Sequence, residues 1–263
     1  MTMPEFSPTK PGDATTRIVT ALLDAACKKK RQDEPRRSYL GASMMGGECL
    51  RAVAYDYHDF KRDPEREFSG RMIRIFDMGH MGETMMAQYL ALAGFELVTT
   101  DADGKQFEYV QAGGKMKGHI DGKIVAGPDI GCAWPALWEN KALNDDNFKK
   151  VVQHGIRKAK GVYFAQVQIY MAYMALDRCL FTCINKDTCE IYAEIIALDI
   201  QRAQEVSDRG VRVITSASPK EFQRIGRDET DFRCRFCDWH DRCWEVGKPK
   251  VSPPAPSWLT KKK

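Results

Sequence analysis

The chain has 263 residues, of which 43% are hydrophobic and 29% charged, enough apolar sequence to bury the core of one elaborated domain. Its 40 Lys and Arg against 36 Asp and Glu leave a net charge of only +4, which excludes an overall field that by itself demands a nucleic-acid partner. The longest apolar stretch, Ile169 to Leu176, is far too short to cross a bilayer, and nine cysteines behind a polar N-terminus with no signal peptide argue against a secreted disulfide framework.

Composition at both ends predicts disordered tails, 1–14 and 248–263, around a single domain over 15–247. Within it, helical spacing predicts helices over 16–30, 48–57 and 70–93. The third carries Ile73, Phe76, Met81, Met85 and Leu90 on its apolar side and has Gly94 as its stop. His80 and Glu83, three apart, share one face of it.

Strands are expected next, over 95–100, 106–111, 115–125 and 135–142. The third of these, broken or bulged near Gly122, carries Asp121. In the fourth, Glu139 and Lys141 alternate onto the same face of an otherwise apolar strand. Two carboxylates and an ammonium would then converge, the form of a metal-dependent phosphodiesterase centre, because carboxylate oxygens are the hard ligands that Mg2+ or Mn2+ prefers. The plainer reading is a cross-strand ion pair on a solvated face.

Helices over 144–152 and 158–176 follow, then strands over 179–185 and 189–197 and a helix over 199–215. Gln166 and Tyr170 lie four apart on one face of the second helix. Helices on both sides of a block of strands suit an α/β fold with a mixed sheet.

Three basic runs are candidate phosphate contacts: Lys28 to Arg31, Arg36-Arg37, and Lys149, Lys150, Arg157, Lys158 and Lys160 around His154. The third lies between the Glu139 strand and the Gln166 helix, where a substrate would enter, and Tyr163 and Phe164 beside it could stack on bases. Solvated charge and core aromatics are the alternatives.

Cys234, Cys237 and Cys243 cluster near the C-terminus and need a fourth soft ligand to complete an all-thiolate site. Zinc is an alternative, with His240 completing a set that does not use Cys49. The remaining five, Cys27, Cys132, Cys179, Cys183 and Cys189, lack metal-ligand spacing and read as small buried hydrophobes.

Six segments in a fixed order resemble the PD-(D/E)xK nuclease superfamily and, within it, the RecB-like exonucleases that carry an iron-sulfur cluster, with their CRISPR-associated and phage branches. They are Ser43-Met44-Met45-Gly46-Gly47-Glu48-Cys49-Leu50-Arg51 with Tyr55, Gly79-His80-Met81-Gly82-Glu83, Gly118-His119-Ile120-Asp121, Glu139-Asn140-Lys141, Gln166-x3-Tyr170, and Cys234-x2-Cys237-x5-Cys243. The resemblance implies a restriction-endonuclease-like core with a central mixed sheet flanked by helices, its N- and C-terminal segments joined by a 4Fe-4S cluster on Cys49, Cys234, Cys237 and Cys243. It implies catalysis by Asp121, Glu139 and Lys141, and Mg2+ or Mn2+ held by Glu83, Asp121 and Glu139, with His80 the alternative helix ligand. Gln166, Tyr170 and Arg51 would support the site or touch substrate.

The function implied is exonuclease cleavage of single-stranded DNA or duplex ends in recombination, repair or CRISPR adaptation. The setting would be the cytoplasm of a bacterium or of a phage-infected cell. Homo-oligomers and recombination or CRISPR partner proteins stay open as partners, with no membrane. The competing class is a non-catalytic nucleic-acid-binding protein organised by a zinc or iron-sulfur module.

Overall fold

The central strand of the protein, Ala136–Leu143, is buried along nearly its whole length, and this follows from where it lies in the sheet. In the computed structural model, which describes residues 12–246, the chain falls into two compact units, Met1–Phe60 with Phe68–Gln223, and Lys61–Glu67 with Arg224–Lys263. The tails expected at 1–14 and 248–263 lie outside the described residues, except at 12–14, where a helix already begins.

The first unit runs α1 (Asp13–Asp33), β1 (Leu40–Gly41), α2 (Ala42–Met45), α3 (Leu50–Tyr57), α4 (Gly70–Leu92), β2 (Glu96–Val98), β3 (Glu108–Gln111), β4 (Met116–His119), β5 (Gly122–Ala126), β6 (Ala136–Leu143), α5 (Asp145–Ala159), α6 (Gly161–Tyr173), β7 (Arg178–Asn185), β8 (Ile191–Ala197) and α7 (Ile200–Thr215). The expected mixed α/β architecture forms, as two mixed sheets flanked by helices. The larger has the order β2-β5-β6-β7-β8, with β6 and β7 parallel and the other neighbours antiparallel. The smaller has the order β1-β4-β3, with β1 parallel to β4.

Alternation in β6 divides the core in two. Leu137 and Leu143 face a large cluster that takes in Phe148 and Val151 of α5, Phe164 and Val167 of α6, and Val206 and Val213 of α7. Trp138 faces the other way, into a smaller cluster with Ile124, Leu180, Ile184 and, from α4, Met86 and Leu90. A parallel neighbour such as β7 requires a long crossover, which α5 and α6 supply. Gly82 lets α4 lie close on the sheet, since a Cβ there would stand 3.2 Å from that of Ala142.

The expected strand over 115–125 is two strands. It breaks at Ile120 and Asp121, and its halves belong to different sheets: β4 pairs with β3, and β5 pairs with β6. Of the expected strand over 95–100 only Glu96–Val98 forms. α5 runs on to Ala159 beyond the expected end at 152, across a break at Gly155, whose φ of 69° is open to glycine.

The second unit contains α8 (His240–Trp244). Residues 61–67 run beside it: the Asp63 carboxylate accepts from the N–H groups of Asp241 (2.7 Å) and Arg242 (3.3 Å), and the Asp63 N–H donates to the Asp238 carbonyl at 2.8 Å. Arg66 donates to the Arg235 carbonyl, and Arg62 pairs with Asp238. Among the described residues no helix is long and apolar enough to cross a membrane.

Candidate active site

β5 stays with β6 only as far as the pair Gly122 and Trp138. Beyond it, β6 continues with no strand partner on that side, and the freed N–H of Asn140 needs an acceptor. Asp121 Oδ2 supplies one at 2.8 Å. The split between the two sheets thus places one carboxylate against the strand that carries the other two charged groups.

Glu139 is fully buried. Its Oε1 accepts from the Lys141 ammonium and, at 2.8 Å, from Gln166 Nε2, which also donates to the Tyr170 hydroxyl at 3.1 Å. Its Oε2 is buried with no hydrogen-bond partner among the described residues. An orphaned carboxylate oxygen in such a place costs more than an orphaned neutral group unless a cation meets it. Lys141 is half-buried, with its ammonium 5.5 Å from the centroid of the Tyr163 ring.

Glu83 comes from α4. Its side chain is 31% exposed, against 81% for His80, with 4.0 Å between the His80 ring and the Glu83 carboxylate. Burial and the charge of Asp121 push Glu83 up to about 7, with Lys141 opposing. Asp121 is raised by burial, against the pull of Lys141, the Asn140 N–H and His80. Burial and the charges of Asp121 and Glu83 also raise Glu139, against Lys141. Burial works against the Lys141 ammonium, but Glu139 and Asp121 outweigh it and hold its pKa above the ordinary value. Three acids that repel one another, with only one nearby ammonium, make a site that lacks positive charge.

The structure therefore brings Glu83, Asp121, Glu139, Lys141, Gln166 and Tyr170 together. Among the described residues no group of three or more His, Cys, Asp or Glu side chains is placed so that it could hold a metal ion as it stands. The donor set is nevertheless all oxygen and acidic, and the partnerless Glu139 Oε2 is what a hard divalent cation would satisfy, so Mg2+ or Mn2+ fits these residues. Arg51, on α3, is 8% exposed, and its Nε has no hydrogen-bond partner among the described residues.

The cysteines are distributed over both units. Cys49 is the residue before α3 and is half-buried. In the second unit Cys234 is buried, Cys237 and Cys243 are half-buried, and the Cys237 N–H donates to the Cys234 carbonyl at 2.9 Å. His240 places Nδ1 2.8 Å from the Asp241 carboxylate and Nε2 2.8 Å from the Glu229 carbonyl. Both partners are oxygen acceptors, so each ring nitrogen faces a hydrogen-bond partner within the fold. Those same hydrogen bonds raise the His240 pKa. Of the five other cysteines, Cys132, Cys179 and Cys183 are buried as expected, whereas Cys27 is half-buried and Cys189 is exposed at a φ of 64°. Cys189 lies in the turn between β7 and β8, where no core is available to cover it.

Two features escaped the sequence reading. Asp63, 178 positions before Asp241, caps α8 in the cysteine unit, and no local pattern links residues that far apart. Behind the site, Trp138 Nε1 donates to Thr182 Oγ1 (3.0 Å), which donates to Asn140 Oδ1 (2.9 Å), fixing the middle residue of the Glu-Asn-Lys tripeptide. The cross-strand pairing of Asn140 with Thr182 that makes this contact exists only once the register of β6 and β7 is known.

No protein-family model and no curated protein matches the chain. Among solved structures, that of SSO0001 is similar at a TM-score of 0.47 and 17% identity, over 90% of this chain and 98% of that one. An alkaline exonuclease, LHK-Exo from Laribacter hongkongensis, is similar at 0.46 and 15% identity, over 74% of this chain and 91% of that one. The same exonuclease in complex with dAMP gives 0.48 at 15% identity, over the same shares of the two chains.

Proposed function

We propose that the protein is a metal-dependent DNA nuclease, an exonuclease acting on single strands or duplex ends. The observation that supports this most directly is the buried pairing of Glu139 with the Lys141 ammonium beside Asp121, with Glu139 Oε2 left without a hydrogen-bond partner among the described residues. Asp121, Glu139 and Glu83 would hold Mg2+ or Mn2+. When bound, such an ion supplies Lewis-acid polarisation of the scissile phosphate and offsets charge on the leaving oxygen.

The chain's own groups would do the rest. Lys141 has donors beyond the one it gives Glu139, and would orient the attacking water and offset phosphate charge. Gln166 holds Glu139 through Oε1, and Oε2, which has no hydrogen-bond partner among the described residues, would be the oxygen available to a metal ion. Tyr170 braces Gln166 from the next turn of α6.

A 4Fe-4S cluster on Cys49, Cys234, Cys237 and Cys243 is part of this reading, in a structural role. It is supported by the cysteine spacing and by the full engagement of His240, which weakens the zinc alternative. The deciding experiment uses end-labelled single- and double-stranded DNA, with and without Mg2+ or Mn2+, and Lys141→Ala as the control. Metal-dependent release of mononucleotides from an end, absent in the control, is expected. DNA binding without hydrolysis under any divalent metal would instead identify a non-catalytic binding protein.

A further inference from the structure

The cations gathered between β6 and α6 are not equivalent once the chain is folded. Lys149 pairs with Asp145 at 2.7 Å. Arg157 pairs with Asp199 at 2.9 Å and lies 4.9 Å over the ring of Phe164, which is itself buried. These two cations are neutralised by the fold. Lys160 is different: it is half-buried, and its ammonium meets a neutral acceptor, Asn147 Oδ1, at 2.6 Å. Asn147 in turn donates to Oδ1 of Asn144, the residue that follows β6. Burial and the charge of Lys150 lower the Lys160 pKa. Two ammonium groups therefore share one neighbourhood, and among the described residues neither has a carboxylate partner.

Their position relates them to the site. Tyr163, Gln166 and Tyr170 follow one another at intervals of three and four along one face of α6, and Lys160 is the N-cap residue from which that helix starts. Gln166 and Tyr170 lie at the buried end of this stripe, on Glu139. Tyr163 is half-buried beside Lys141. Lys160 comes last, at the N-cap of α6, roughly 9 Å along the helix axis from Gln166. The stripe thus passes from acid ligand to aromatic ring to unbalanced cation, the order in which an extended strand presents a scissile phosphate, a base and a further phosphate.

We propose that Lys160, backed by Lys150, binds a backbone phosphate of the intact strand beside the scissile one, with the intervening base against Tyr163, so that single-stranded DNA enters along the N-terminal end of α6. This rests on the nuclease reading of the same site.

The test measures KM and kcat with Mg2+ on fluorescein-labelled oligothymidine. It also measures binding of the same oligonucleotide by anisotropy across a salt series, with Ca2+ in place of Mg2+. Lys160→Ala and the stem-preserving Lys160→Met should raise KM and Kd about tenfold, with kcat little changed. The slope of log K against log salt should fall by about 0.7 per lost contact. Lys150→Ala should act in the same direction, and Lys160→Arg should restore binding. Folded Lys160 variants with wild-type KM and salt slope, in an enzyme that cleaves, would overturn the strand site and leave the nuclease standing. A wild type that binds with a Lys160-dependent slope but never cleaves would do the reverse. A wild type that neither binds nor cleaves would overturn both.

Discussion

The backbone N–H of Asn140 donates to Asp121 Oδ2 across 2.8 Å, so one carboxylate of the site is held by the strand that supplies the other. The side chains of Glu139 and Lys141 flank that N–H, and a shift of β6 by one residue would turn both away from Asp121. The three charged groups are fixed by a single register.

Residues that act as a unit lose activity together. Asp121→Asn, Glu139→Gln and Lys141→Ala should each reduce turnover by at least about a thousandfold, and double variants should fall little further. DNA binding should persist in all of them. A folded Lys141→Ala protein with near-normal single-turnover rates would remove the strand tripeptide from the chemistry.

Exposure separates the two candidate ligands on α4. Glu83→Ala should raise the Mg2+ or Mn2+ concentration needed for half-maximal activity, whereas His80→Ala, whose side chain is 81% exposed, should alter it much less. Titration of activity against each metal checks this, and the opposite ranking would move the ligand by three residues.

Gln166 donates to both Glu139 and Tyr170. Gln166→Leu should lower kcat about tenfold or more, because Glu139 Oε1 loses a buried donor and the carboxylate its fixed orientation. Tyr170→Phe removes a group that Gln166 can do without, and its cost should be smaller. Equal losses in kcat for the two would mean that Tyr170 does more than brace Gln166.

The raised acids predict a pH dependence in metal-free protein. Glu83 and Glu139 move from 4.5 to about 7 and about 8, burial being the first cause for both, so the folded state binds their protons more tightly than the unfolded state. Their contribution is fully present below pH 4.5 and is lost as pH rises through 7 to 8. Metal-free protein should accordingly show a falling Tm across that window, Mg2+ or Mn2+ should reverse the fall, and Glu139→Gln should flatten it. Scanning calorimetry at a series of pH values reads all three, and a flat wild-type profile would contradict the assignment.

Protein purified without oxygen should be brown and contain iron with acid-labile sulfide, because zinc has no d-electron transitions and gives no colour. Cys49→Ser should cost colour and stability as severely as Cys234→Ser, and His240→Ala should cost no colour. Colourless, zinc-loaded protein that tolerates loss of Cys49 but not of His240 would overturn the four-cysteine cluster.

The alternation of β6 was legible from sequence because an inward Glu and Lys on an apolar strand are conspicuous at a period of two. The break ahead of Gly122 was legible too. That its halves join different sheets was not, because pairing partners are set by contacts far along the chain. The same limit applies to the basic run: the i,i+4 pair of Asp145 with Lys149 can be read locally, while the pairing of Arg157 with Asp199 depends on how α7 begins. α1 extends at both ends beyond the expected 16–30, because polar residues near its termini carry helix without apolar spacing to reveal it.

Ile120 is fully buried and tied to the 106–107 segment, its N–H on the Phe107 carbonyl and its carbonyl on Gln106 Nε2, both at 3.1 Å. One residue on is Asp121, and the next, Gly122, already belongs to the larger sheet. The acid therefore occupies the joint between two separately hydrogen-bonded structures, and neither can position it alone. Loosening the small sheet would misplace that acid while leaving β6, β7 and most of the far-ultraviolet signal intact. Under the nuclease reading, turnover is a stricter gauge of complete folding than any spectroscopic average, and substitutions in the hairpin around 108–119 should register in rate before they register in melting.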